Sequence, residues 1–340
     1  MRSHLWGAKH KILILPSERE NVRHVLRTSA ENVHWGYYDP KLRPVLHVKS
    51  GDLVEVYTVS GNPWMVELFP EMRDKIPKEL KEVFEKVEDR GPGPHILLGP
   101  IFVKGATPED TLEVTLLGIE PWVDYGCNFF FPEAGSVPEE FPYFEFKCIP
   151  IDRKRSVAKF SEWLELPLRP FFGNLGVAPP ISQGRITSKI PGPHGGNLDN
   201  KELIASSKVY LPIHNDGALF SIGDGHSCQG DGEVDQLAME TCMRGLIKLR
   251  LVKGVKIKWP MAETKSHFIL MGFNTDLDEA LKIALRNTIE FLTSKGFSKS
   301  DAYMFCSLSV DFRITQVVNH LKGVHSMVPK DLLPGIKSMV

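Results

Sequence analysis

Glycine and proline break this chain up at intervals too short for long helices. The 340 residues include 28 glycines and 25 prolines, and most of the first 270 positions read as short β-branched or alternating runs between Gly, Pro, Asn and Asp. Residues 44–59, 97–103, 112–119 and 207–213 are such runs. Proline donates no amide hydrogen and glycine weakens a helix interior, so short runs of period two predict strands. The expected fold class is mainly β with added α: a jelly-roll-like antiparallel β-sandwich with a C-terminal helical layer.

Two places depart from that grammar. Residues 77–89 carry Leu80, Val83, Phe84 and Val87 at helical spacing, which predicts a surface helix on the sheets. After Gly272, Asp276 stands three residues before Glu279 at the head of an apolar stripe through Leu277, Ala280, Leu281, Ala284, Leu285, Ile289 and Leu292, the signature of a capped amphipathic helix. A shorter helical segment from Ser298 or Ser300 to Phe305 and another over 312–321 complete the expected layer. Residues 167–193, with six prolines and four glycines among them, read as a long ordered loop. The whole chain, 1–340, is expected to form a single domain, with a sub-domain boundary allowed near 150–165.

With 42% hydrophobic residues and a formal charge of −1, the chain has a sizeable core and no general attraction for nucleic acid or anionic lipid. Pro16 ends an N-terminal apolar run at 12–15 well short of a secretory or membrane-spanning length, so no membrane partner is expected and the default location is cytoplasmic. The five cysteines are odd in number and lack a CxxC pair, which suits reduced thiols.

Chemistry concentrates in residues 192–233, where acids and a histidine alternate with glycines. Asp224 and His226 flank a glycine in GDGH and can turn toward one cation, with Asp199 of GGNLDN as third ligand. His34 and Asp39 in VHWGYYDP offer a second imidazole and carboxylate. Any one of these alone reads as a turn residue satisfying backbone amides; together they point to a metal site or catalysis. The mixed nitrogen and oxygen donors favour zinc, with calcium or another divalent ion as alternatives. Glu233, at the end of QGDGE, is the expected proton carrier. Asp231 is the alternative, or else the first residue of an Asp-Gly hairpin turn. His95, between proline and glycine clusters, is expected to line a pocket, orient a substrate or bind an ion. Glu263 and the Asp311–Arg313 pair read as structural.

No GxSxG elbow, P-loop or complete GxGxxG fingerprint is present, and the SxxK match at 156–159 lacks its companion motifs. Cys228, beside His226, is the candidate nucleophile of a rival thiol mechanism, although its acidic neighbours would raise its pKa. A non-catalytic small-molecule binding protein on the same scaffold is the other rival.

Four segments, GGNLDNKEL, LPIHNDGALFSIGDGHSCQGDGEV, GPHILLGPIFVKGATPEDTLEV and RPFFGNLGVAPP, closely resemble the acetamidase/formamidase family. The resemblance implies a metal-dependent amidohydrolase that releases ammonia and a carboxylate from a short linear amide, on a mainly β fold that assembles as a homo-oligomer. Asn197, Asp199, Asp224, His226, Gln229, Asp231 and Glu233 fall on family motif positions, and His34 and Asp39 fit the N-terminal motif. The chain departs at Ser227 and Cys228, where alanines are more usual, and at Leu98, where a threonine is. The resemblance further implies a divalent cation held by His226, Asp224, Asp199 and His34, with Glu233 moving the proton.

Overall fold

The computed structural model describes residues 22–340; the apolar run at 12–15 lies outside them. Among the described residues two large sheets form. The first has nine strands, in the order Arg23–Arg27, Leu53–Tyr57, Met243–Val252, Thr111–Pro121, Lys208–Pro212, Met261–Glu263, His267–Asn274, Lys322–Pro329 and Asp311–Gln316. The second has twelve, and its centre is Phe220–His226, flanked by Phe171–Gly176, Glu240–Thr241 and Ile96–Val103. Pairing is antiparallel throughout, except between Arg23–Arg27 and Leu53–Tyr57 and between Leu46–Val48 and Ile96–Val103.

Alternation along the strands divides their side chains between layers. Val54, Val56, Val114, Val209, Leu211 and Ile247 of the first sheet meet Leu98, Phe172, Leu175, Phe220 and Ile222 of the second in one core. On the strand His267–Asn274, Ile269 and Met271 enter that core, whereas Phe268 and Leu270 face outward. The outward pair is covered by Leu277–Ser294 and Lys299–Ser309. Asp276 caps the first of these helices by accepting the Glu279 amide at 2.9 Å, and Ser298 caps the second by accepting the Asp301 amide. The helix Lys78–Lys86 buries Leu80 and Val83 over a smaller cluster with Trp35, Met65, Ile96, Tyr125 and Cys127.

Two expectations are corrected. Residues 312–321 are not helical: Asp311–Gln316 is an edge strand paired with Lys322–Pro329, because Ile314 and Thr315 suit a pleated edge and the neighbouring strand supplies the partners. Residues 167–193 are not all loop. Phe171–Gly176 is a fully buried central strand, with the prolines confined to its flanks. Residues 150–165 run through the edge strands Glu145–Asp152, Val157–Lys159 and Glu165–Pro167 of the second sheet and the turns between them, and among the described residues no helix is long and apolar enough to cross a membrane.

Candidate active site

Strict alternation along Phe220–His226 would send Asp224 and His226 into the sandwich core behind Phe220 and Ile222. They line a pocket instead. The reversal occurs at Asp224, whose φ of 60° is left-handed, a conformation that aspartate tolerates better than most residues. Asp199 (φ 44°) and Glu233 (φ 48°) are left-handed too. Three non-glycine residues in a sparsely populated conformation, all acids aimed into one cavity, mark a place where backbone strain is tolerated for function.

Opposite Asp224 the neighbouring strand carries Gly173. A methyl group there would lie 2.5 Å from Asp224 Oδ2, 2.6 Å from Asp199 Oδ1 and 2.7 Å from His226 Cε1. The glycine therefore leaves open the space on which these three groups converge. One ligand atom each from Asp199, His226 and Glu233 lies within 4.8 Å of the others, and the same holds for Asp224, His226 and Glu240. Asp199 Oδ1 and Glu233 Oε2 are buried without a hydrogen-bond partner. Buried, unpaired carboxylate oxygens are costly; a proton shared between Asp199 and Glu233, or a bound cation, would satisfy them.

The hydrogen bonds around the cluster determine which ring nitrogens face it. Gln229 donates its Nε2 to the Asp199 carbonyl at 2.7 Å, so its Oε1 is the atom 3.0 Å from His226 Nδ1. Nδ1 must then carry the hydrogen, which leaves the Nε2 lone pair pointing at Glu240 Oε1 (3.1 Å) and Asp224 Oδ1 (3.4 Å). His95 repeats the arrangement: its Nδ1 lies 3.1 Å from the Ser188 carbonyl, an acceptor only, and its Nε2 is 3.7 Å from Asp224 Oδ2. Lone pairs facing carboxylates repel unless a proton or a metal cation lies between them. Asn197 donates to Asp199 Oδ2 at 2.6 Å, Asn319 donates to the same oxygen, and Asn174 donates to Asp224 Oδ2 at 3.3 Å.

The charges are correspondingly perturbed. Burial, with Asp224 and Glu240 nearby, pushes Asp199 up to about 7, and burial together with the Asp224 charge pushes Glu240 up to about 7. Glu233 is raised well above the usual carboxylate range, first by burial and then by Asp199. Burial works against the charged form of Asp224, but His95 and His226 outweigh it and hold the group low. His226 is raised well above 6.5, because Glu240 and Asp224 overcome its burial.

Residues 182–333 match the sequence profile of the Acetamidase/Formamidase family. A formamidase of Methylophilus methylotrophus is 28% identical over 303 residues, spanning 68% of this chain and 73% of that protein. A Schizosaccharomyces pombe protein bearing the formamidase name is 30% identical over 308 residues, again 68% of this chain and 73% of its own length. The chain belongs to the acetamidase/formamidase family. The crystal structure of an acetamidase from Bacillus halodurans superposes with a TM-score of 0.78 at 29% identity, covering 92% of this chain and all of that one.

In this member of the acetamidase/formamidase family, Asp199, Asp224, His226, Glu233 and His95 come together, and three other candidates do not. His34 is buried with both ring nitrogens engaged, by the Tyr37 carbonyl at 2.6 Å and Ser221 Oγ at 2.8 Å. It has no lone pair for a cation, and burial lowers it to about 4. Asp39 accepts the Lys41 amide and pairs with Arg185, 3.4 Å away, in a turn outside the pocket. Asp231 pairs with Lys201 at 3.1 Å, because the Gly232 turn points it away from Glu233.

Cys228 packs beside Met239 and lies outside the pocket lining. Burial raises its thiol, against a smaller pull from His226, so the thiol rival has no support. Glu240, Asn174 and Asn319 are the site residues that sequence reasoning missed. Glu240 sits in a two-residue strand with no motif around it, and only its pairing with His226 exposes it.

Proposed function

We propose that this chain hydrolyses linear amides to ammonia and a carboxylate, with a divalent cation in the space opposite Gly173. The formamidase and acetamidase relatives support the reaction class. The observation that carries the cation is the approach of Asp224 Oδ2 and Asp199 Oδ1 to the space that a methyl group on Gly173 would fill, with Asp199 Oδ1 and the nearby Glu233 Oε2 lacking hydrogen-bond partners. Asp224, His226, Asp199 and Glu240 would hold the ion, with the His95 Nε2 beside them. Imidazole and carboxylate donors favour zinc. Such a cation supplies Lewis-acid polarisation of the amide carbonyl and acidifies a water.

The protein's own groups do the rest. Water oxygen adds to the carbonyl carbon, the C–N bond breaks, and a proton from the water is carried to the departing nitrogen. Glu233 is placed to carry it. Enclosed and pushed upward, its carboxyl group holds a proton readily, and a nearby positive charge would bring it back toward neutrality, where a proton carrier works best. Asn197 and Asn319 occupy Asp199 Oδ2, leaving Oδ1 directed at the common space.

Glu233→Gln is expected to lower kcat by roughly 10²- to 10⁴-fold with the ion content, read by elemental analysis, unchanged. Loss of the ion along with turnover would make Glu233 a ligand, and wild-type rates would give its role to another group. Dialysis against a chelator should stop ammonia release; undiminished release would remove the cation from the reaction.

A further inference from the structure

The cavity is about 510 Å³, within the roughly 300–1,000 Å³ of pockets that take drug-sized molecules. Formamide and acetamide are only a few times larger than a water molecule, whose share of liquid volume is about 30 Å³. Most of the space would stay filled with water if either were the substrate.

The lining is divided. Beside the donor cluster and Glu233, the lining includes Trp64, Phe129 and Phe131, whose rings are in mutual contact and so form one apolar end, together with the apolar Val59, Met65 and Leu237. The apolar end is built rigidly: the Trp64 ring meets Phe129 edge-on at 4.8 Å and Phe144 at 5.7 Å, and Phe69 stacks on Phe146 at 4.2 Å behind them. It also adjoins the chemistry, since Ser60 donates to Glu240 Oε2 at 3.3 Å and Trp64 follows in the same segment. The loop after Phe131 is tied to the segment after Glu233 by the Ser136 amide on the Val234 carbonyl at 2.8 Å. Ordered aromatic faces open to a cavity gain from being covered by an apolar group. Because Glu233, the proton carrier, makes the polar end the place for the departing nitrogen, the apolar end takes the acyl chain.

We propose that the preferred substrate is the primary amide of a bulky apolar acid, with an aromatic or medium-length aliphatic acyl group lying against Trp64, Phe129 and Phe131. This substrate preference rests on the amide-hydrolysing reading of the site. Each methylene buried there is worth about fourfold in affinity.

The test compares kcat/KM for formamide, acetamide, hexanamide and phenylacetamide, alongside calorimetric binding of acetamide and phenylacetamide. Phenylacetamide or hexanamide is expected to exceed acetamide by at least about tenfold. Trp64→Leu, and independently Phe131→Ala at a position 38% exposed, should each reduce that ratio. Equal or better turnover of acetamide overturns the proposal and leaves amide hydrolysis standing. If no amide is cleaved, the hydrolytic reading fails and calorimetry decides the pocket: phenylacetamide binding that Trp64→Leu weakens upholds an apolar amide site, and no binding refutes it.

Discussion

Asp199, Asp224 and Glu233 each combine a costly backbone conformation with a costly buried carboxyl group, and neither cost is explained by packing. Left-handed non-glycine residues cost on the order of 1–3 kcal/mol each, so three at one cavity mark the site independently of any motif. Their setting between glycines singles these acids out along the chain, but it does not separate Asp231 from Glu233. The two are separated by a single glycine, and only the turn sends one to Lys201 and the other inward. Gln229 tests the electrostatics at this scale. It holds the His226 Nδ1 hydrogen and so aims Nε2 at the cluster. Gln229→Ala is expected to weaken zinc binding by about 10- to 100-fold, measured by competition with a chromophoric chelator; unchanged affinity would show that the ring is oriented by something else.

Among the elements, the strand Phe171–Gly176 has the most unexpected role. Proline density reads as loop there, yet six of the eight residues between Pro170 and Pro179 form a buried strand with a neighbour on each side. Its Gly173 carries no side chain because the opposite strand directs two ligand groups into that space. Gly173→Ala should therefore abolish cation binding and lower kcat/KM by at least about 100-fold. The metal-free protein should lose some stability as well, since the added methyl meets three buried, hydrogen-bonded side chains at less than 3.0 Å, so zinc affinity is read on the folded fraction. A variant that binds zinc normally would remove the cation from this space. The helix Leu277–Ser294 was legible from its Asp276 cap and from a stripe that reaches Leu292. The segment over 312–321 was not, because an apolar run with β-branched residues fits either element until a neighbour supplies hydrogen bonds.

At the scale of the whole molecule, two sets of buried groups make stability depend on pH in opposite directions. Burial holds His34 at about 4, His194 at about 3 and His325 at about 4, all below 6.5. The unfolded chain binds their protons first, so stability rises with pH up to about 6.5. Asp199 and Glu240 at about 7, and His226 above 6.5, are raised in the folded state. Their contribution is full only below the unfolded values, 3.8 and 4.5 for the two carboxyls and 6.5 for His226, and is lost as pH climbs from there to the folded values. Asp224, held low, acts only in the acid range. Above pH 6.5 the lowered histidines no longer titrate and only the raised groups do, so the melting temperature of chelator-treated protein is expected to fall there, and saturating zinc should remove the alkaline fall. An alkaline limb unaffected by zinc would detach the fall from these groups. The sequence by itself determined the class of fold, the family and the acid-rich segment, because alternation, caps and glycine spacing are local properties of the chain. Tertiary structure alone decided which acids face one another, brought in Asn319 from a distant part of the chain and Glu240 across a strand pairing, placed His34 and Asp39 outside the cluster, and opened an apolar cavity beside it. Those outcomes depend on strand register and on three left-handed residues, and neither has a local signature.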